Sequence, residues 1–203
     1  MSTRVFRFYG GFVERQQAWL NAMAKSGYRL KRTGKLLYEF DRCKPDAYCY
    51  CIDFVAEKSN AELCRYKTFL QELGYTVFSK SINLNWSVGK VSFRPYGEGR
   101  GKLASSPGTY NHELLIVEKQ NDGSPFCLHS TPEDQLRYYI MQRNAYLTLA
   151  ALGAFLCALG LYQSAAARSV PLFAAPLCIG AALPALAFER KCRSIQRAAH
   201  IQE

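Results

Sequence analysis

The sequence predicts an α+β protein in two parts. A two-layer domain, with an antiparallel sheet and two helices on one face, precedes a C-terminal two-helix transmembrane hairpin. Three observations carry that reading. Between Asn144 and Ala167, and again between Ser169 and Phe188, there is no charged residue. Each run is about the 20 residues that a helix needs to cross a hydrocarbon core of roughly 30 Å. The residues before Asn144 are instead charged, aromatic and patterned in short periods, with an internal echo: a helix that ends at Gly27-Tyr28 and turns into a strand, then a helix that ends at Gly74-Tyr75 and turns into strands. Two α-β-β units sharing one sheet make a ferredoxin-like or related two-layer domain.

The elements follow in order. "FVERQQAWLNAMAKSGYRL" places Phe12, Gln16, Trp19, Leu20 and Met23 on one helical face, and Gly27 is placed to end the helix. "YRLKRTG" and "KLLYEFDRC" read as strands about a Thr33-Gly34 turn, and "KPD" (44–46) is a second turn signal. "AYCYCIDFV" alternates, with Tyr48, Tyr50, Ile52 and Phe54 on one face. If it forms a hairpin with the preceding strand, Phe40 faces Tyr50 and Tyr38 faces Ile52. "SNAE" offers a capping box of Ser59 with Glu62, opening a helix whose stripe is Leu63, Tyr66, Leu70 and Leu73. Strand material runs through "GYTVFSK" and "NLNWSVGKVSFRP", and Tyr96–Asn111 is a Gly/Ser-rich linker or insertion. "HELLIVEK" can add one further strand. "STPEDQLRYY" starts a helix, with Thr131 as cap and Pro132 in the first position, and no breaker follows before the first apolar run.

The apolar runs read as two spans, roughly Asn144–Tyr162 and Pro171–Phe188. A charge at the bilayer centre costs about 2.5–3.5 kcal/mol on insertion scales, so Arg168 belongs in a turn at the far interface rather than inside one long span. Arg137, Arg143, Arg190, Lys191, Arg193 and Arg197 flank the other ends, which puts both termini in the cytoplasm, at the cell (inner) membrane. Pro176 and Pro184 should kink the second span. Gly153, Ala154, Cys157, Ala158 and Gly160 form a small-residue stripe that either packs the two spans together or forms a homodimer through the first span. "MSTRVFRFYGG" has no apolar core of a secretory signal. The eight cysteines are accordingly expected to be reduced thiols.

"FYGGFVERQQAWLNAMAKSGYRL", "YEFDRC", "CIDF", "FLQELGY" and "SFRP", taken with "PFCLHSTPEDQLRYY", resemble a family of uncharacterised bacterial membrane-associated proteins catalogued as a domain of unknown function. Genes of that family often lie beside PadR-type transcription regulators. The resemblance therefore implies signalling and a PadR-like protein partner, and it brings no catalytic residues.

Candidate functional residues fall into three groups. Trp19, Tyr38, Phe40, Tyr48, Tyr50 and Phe54 form an aromatic face that either lines a pocket for an apolar ligand, meets a partner, or is core; core is the commoner case. The opposite face of the expected hairpin gathers Glu39, Asp41, Cys49, Cys51 and Asp53. Thiols and carboxylates together can bind a metal, but Cys-x-Cys lacks the spacing of structural zinc sites and no histidine is near in sequence, so no metal and no cofactor is expected. Arg29, Lys31, Arg32 and Lys35 form a basic surface. Before Asn144 there are 21 basic and 14 acidic residues, 21 − 14 = +7, which suits a domain held against anionic membrane lipids. No helix-turn-helix, zinc finger or ribonucleoprotein motif supports nucleic acid as the partner. No nucleophile elbow, P-loop or dinucleotide fingerprint supports catalysis.

The expected organisation is a cytosolic α+β domain (1–96), the insertion with a possible extra strand (97–130), a juxtamembrane helix (131–143), two transmembrane helices (144–188) and a basic cytoplasmic tail (189–203). The expected function is a non-enzymatic sensing or regulatory protein-binding module on a membrane anchor. A small-ligand module using the aromatic face is the alternative, and a membrane enzyme working on the Glu39, Asp41 and Asp53 face is the second alternative.

Overall fold

The computed structural model of the chain describes residues 2–55, 58–82, 86–88, 91–93, 103–104, 113–128, 132–162 and 169–200. The chain forms two compact units, Met1–His129 and Ser130–Glu203. It is a mixed α/β protein. The expected turn at Arg168, the cap at Thr131 and most of the 97–112 insertion lie outside the described residues.

The first unit contains β1 (Thr3–Phe6), α1 (Val13–Lys25), β2 (Tyr28–Thr33), β3 (Leu37–Arg42), β4 (Tyr48–Phe54), α2 (Asn60–Glu72), β5 (Thr76–Lys80), β6 (Trp86–Val88), β7 (Val91–Phe93), β8 (Leu103–Ala104) and β9 (Leu114–Gln120). Both helices stop where the sequence places glycine. Gly27 and Gly74 have φ of +81° and +83°, a conformation that side chains with a Cβ rarely adopt. A Cβ at Gly27 would also lie 3.0 Å from the Cys43 carbonyl oxygen. The capping box of α2 is formed as expected: Ser59 Oγ accepts from the Glu62 amide, and the Glu62 carboxylate accepts from the Ser59 amide.

The strands do not form one shared sheet. They make antiparallel three-stranded sheets in the orders β1-β3-β2, β4-β9-β5 and β6-β7-β8. The expected hairpin of β3 with β4 is replaced. Tyr38 pairs with Val5, Phe40 pairs with Thr3 and Leu30, Tyr50 pairs with Glu118 and Ile52 pairs with Ile116. The reason lies in the connection and in β9. Cys43 N–H donates to Gly27 O and Asp46 N–H to Ala24 O, each at 2.9 Å, which ties the 43–46 turn to the end of α1. Asp46 takes a left-handed φ of 58°, and the chain leaves the first sheet instead of folding back on it. β9 then offers a better partner. Leu114, Leu115, Ile116 and Val117 are buried on both faces between β4 and β5, as a central strand with a continuous apolar run should be.

Helix α1 protects the outer edge of β4. Asn21 donates to Tyr50 O at 3.0 Å and accepts from Tyr50 N–H at 2.8 Å, and Gln17 accepts from Ile52 N–H at 2.9 Å. These side chains satisfy backbone groups that an open edge would leave to other strands. Helix α2 buries Leu63 and Leu70 against Val55, Leu115 and Val117. Leu73 departs from the expected stripe. It sits at the C-cap, exposed, while Tyr75 and Phe126, with ring centroids 5.4 Å apart, pack on that side of the core.

The second unit is an antiparallel pair, α3 (Pro132–Tyr162) and α4 (Ser169–His200). The rings of Tyr139 and Tyr146 lie 6.0 and 5.8 Å from that of Phe188, and Arg143 Nη1 meets Glu189 Oε2 at 2.8 Å. A Cβ at Gly153 would fall 3.0 Å from the Cys178 amide nitrogen, so Gly153 serves the close approach of these two helices, whereas Ala154 and Ala158 of the expected stripe are exposed. Thr148 bonds its own helix backbone at Asn144 O and Ala145 O. Among the described residues one helix is long and apolar enough to cross a membrane, over Gln135–Gly160 of α3. Over its described residues α4 does not reach that measure.

Candidate functional site

The predicted aromatic face divides between two sheets. Tyr38 and Phe40 point inward from β3 and meet Trp19 of α1 at ring distances of 5.0 and 5.5 Å, both edge-on. Tyr9 completes this cluster, 5.8 Å from Trp19, and Arg7 stacks over the Trp19 ring at 5.0 Å. Gln16 Nε2 donates to Tyr38 Oη at 3.0 Å. Tyr48, Tyr50 and Phe54 belong to β4 in the other sheet. Tyr38, Phe40 and Tyr50 are 1%, 0% and 1% exposed, so their part of the face is filled core.

The two sheets are joined by a polar seam that sequence reasoning missed. The Glu118 carboxylate, buried on β9, accepts from Arg29 Nε at 2.9 Å and sits 2.8 Å from Arg29 Nη2, both on Oε1. Its Oε2 accepts from Tyr50 Oη–H at 2.8 Å, and Tyr50 Oη accepts from the Leu30 amide at 2.8 Å. The Arg29 guanidinium lies 4.3 Å over the Tyr48 ring. Burial, reinforced by Glu118, pushes the Tyr50 hydroxyl well above its ordinary pKa, and it stays a donor at neutral pH. A second contact lies nearby. Lys80, buried at the end of β5, donates from Nζ to Gly34 O at 2.6 Å and to Lys35 O, with the Tyr38 ring at 4.8 Å. Burial brings its pKa down to about 8. Thr33 Oγ1 donates to Ser79 O at 3.0 Å beside it.

The expected polar face is dispersed, because β3 and β4 are not paired. Glu39 meets Arg4 at 3.1 Å and Asp41 meets Lys31 at 2.9 Å on the first sheet. Cys49, Cys51 and Asp53 lie on β4, where Cys51 Sγ accepts from the Leu128 amide at 3.5 Å. Burial raises the Cys43, Cys49 and Cys51 pKa values, which keeps these thiols protonated and weakly nucleophilic. All eight cysteines are free. Among the described residues no group of three His, Cys, Asp or Glu side chains could hold a metal ion. Of the predicted basic surface, Arg29 is drawn into the seam, Lys31 is paired with Asp41, and Arg32 and Lys35 are exposed at the β2–β3 end.

That end carries a feature with no counterpart in the predicted groups. Phe6, Phe8 and Leu36 are 73%, 59% and 44% exposed. They are neighbours: Phe6 pairs with Leu37, and Arg7 N–H donates to Leu36 O at 2.9 Å. Exposed aromatic side chains with no polar tip are better candidates for a contact surface than the buried tyrosines.

The profile of a family described as a protein of unknown function, DUF2812, matches residues 12–151, more than half of the chain. The chain belongs to that family. The DUF2812 match begins beside α1, takes in both larger sheets except β1, and ends within α3. Searches among curated proteins and among solved structures found no match.

Proposed function

We propose that this DUF2812 protein is an integral protein of the bacterial cell (inner) membrane and not an enzyme. Its α+β unit is a cytosolic sensing or regulatory module that binds another protein, with a PadR-like transcription regulator as the candidate. α3 and α4 cross the bilayer as a hairpin with both termini cytoplasmic. Large apolar side chains on the outward faces of both helices support the crossing: Phe155 and Leu152 on α3, Ile179 and Leu183 on α4, all exposed. Lipid is the solvent in which such a surface is stable. The basic cluster of Arg190, Lys191, Arg193 and Arg197 supports the orientation.

One observation carries the choice of a protein partner over a small ligand. Tyr38, Phe40 and Tyr50, half of the residues that would line a pocket, are packed shut, whereas α2 turns Phe69 and Leu73, one helical turn apart, out to solvent. An outward apolar pair on a helix that already buries its inner stripe is suited to a second protein surface. Co-purification tests it. The full chain, solubilised from native membranes, should retain a PadR-type regulator, and F69E/L73E should lose it while remaining folded. A chain that retains no such regulator, and instead carries a small molecule that raises its melting temperature, replaces this reading with the ligand-binding one.

A further inference from the structure

We infer that the Phe6–Phe8 strand end and the adjoining Gly34–Leu36 turn form a lipid-docking tip, which inserts into the headgroup layer of an anionic bilayer. The inference rests on the reading of α3 and α4 as a membrane anchor, and it assigns a surface of the α+β unit that this reading leaves unexplained.

The strand pattern builds the tip. Along β1 exposure alternates, with Arg4 and Phe6 outward and Thr3 and Val5 more covered, and beyond it Arg7 and Phe8 are both exposed. The inward face of this sheet holds Tyr38 and Phe40, so the aromatics at Phe6 and Phe8 cannot join that core. The outer face brings Phe6 beside Leu37 and Arg4 beside Glu39. Arg4 covers Glu39 at 3.1 Å, which leaves the tip cationic: Arg32 and Lys35 are exposed beside Phe6 and Leu36, while the Arg7 guanidinium lies over Trp19.

The turn is held in place. Lys80 Nζ donates to the carbonyls of Gly34 and Lys35, and Gly34 N–H donates to Leu37 O at 2.8 Å. A pinned turn presents Leu36 without the ordering cost that a loose loop would incur on binding.

Charge and chemistry select the occupant. Apolar tips ringed by Arg and Lys match acyl chains beneath anionic headgroups, with the long cationic side chains reaching back to the phosphates. The chain carries a net charge of +10, in the same sense. Connectivity makes a weak contact sufficient. The unit is continuous in sequence with α3, so its encounter with the bilayer is intramolecular and its effective concentration high.

The test uses the full chain in lipid nanodiscs. F8W places an indole at the tip, and the unsubstituted chain supplies the Trp19 and Trp86 background. S124W is the control, because Ser124 follows the Gln120 end of β9 whereas Lys80 pairs with its Leu114 end, about 20 Å away along the strand. In phosphatidylglycerol-containing discs with acyl chains brominated near the headgroup, F8W emission should be lost and S124W emission kept. R32E/K35E, or purely zwitterionic lipid, should restore the F8W emission. If the chain enters the disc and F8W emission is indifferent to bromine, or S124W is quenched equally, the docking tip is overturned and the anchor stands. If the chain does not enter discs at all, the anchor and the tip fall together.

Discussion

Replacing Tyr50 by Phe removes one oxygen from the seam and leaves the ring in place. That oxygen has two partners, the Leu30 amide and Glu118 Oε2, each at 2.8 Å. Leu30 and Glu118 are both 2% exposed, so water does not replace the loss. An orphaned buried amide costs about 1–3 kcal/mol, and a hydrogen bond to a charged group contributes about 1.5–3 kcal/mol. Glu118 keeps its Arg29 contacts on Oε1, which limits the second term. A total near 3 kcal/mol follows for Y50F, and for a unit of this size it lowers the melting temperature by about 10–15 °C. Near-ultraviolet circular dichroism of the full chain in nanodiscs follows that melt. Hydrogen exchange at the Leu30 amide reads the local effect, and its protection should fall with the global change.

The argument also requires coupling. E118Q removes the charge that the Tyr50 hydroxyl and Arg29 share, so Y50F in an E118Q background should cost less than in the wild type by about 1 kcal/mol or more. Y48F, which leaves a ring beneath Arg29, should be nearly silent. A Y50F melt within about 2 °C of the wild type, or strict additivity of Y50F with E118Q, would refute the shared network.

Lys80 gives a pH signature. Its folded pKa of about 8 lies below the ordinary 10.5, so between those values the unfolded chain binds the extra proton and this group makes stability rise with pH. The buried cysteines and tyrosines, whose values are raised, act in the opposite sense at the upper end, so the measurable quantity is the difference in slope between wild type and K80M melts from pH 7.5 to about 9.5. Equal slopes would remove Lys80 as the cause. In the second unit, G153L drives a side chain into the Cys178 backbone and should destabilise the helix pair by about 1–3 kcal/mol, read by helical circular dichroism; no change would mean that α3 and α4 do not approach closely there. For topology, on a cysteine-free background S169C should react with an impermeant thiol reagent in intact cells and S2C should not, and the reverse pattern would invert the proposed orientation.

The helices were legible because their signals are local. Gly27 and Gly74 end α1 and α2 where they stand, and Ser59 and Glu62 are three residues apart. The strands were legible as strands, not as a sheet. Nothing within "HELLIVEK" says that β9 lies between β4 and β5; that depends on which segments the turns deliver to it. The Lys44-Pro45-Asp46 turn looked like a hairpin turn and is a crossing between sheets, because the Cys43 and Asp46 amides on it donate to the end of α1. β1 is four residues long and carries no turn signal of its own, and it escaped notice. Glu118 drew no notice in the sequence, and its partner Arg29 is 89 residues away in the chain. Such long-range polar pairs have no periodicity to reveal them.

Tyr38, Phe40 and Tyr50 of the aromatic face are core, for a reason that applies to other tyrosine-rich strands. A buried tyrosine needs a partner for its hydroxyl, so a strand such as "YCYCIDF" is compatible with a core wherever a buried polar side chain stands opposite. Gln16 answers Tyr38, and Glu118 with Leu30 answers Tyr50. The burial of Tyr38 and Tyr50 is thereby explained by folding. Phe6 and Phe8 invert the case. Phenylalanine has no polar tip to satisfy, so folding gains from burying it, yet both stand exposed on a sheet whose inner face is already full. Together with Leu36, and with Phe69 and Leu73 on α2, they are the large apolar side chains that stand exposed among the described residues of the first unit. The two proposed contacts, lipid at the cationic tip and protein on α2, both use these outward apolar side chains, whereas Tyr38, Phe40 and Tyr50 are already buried by the fold.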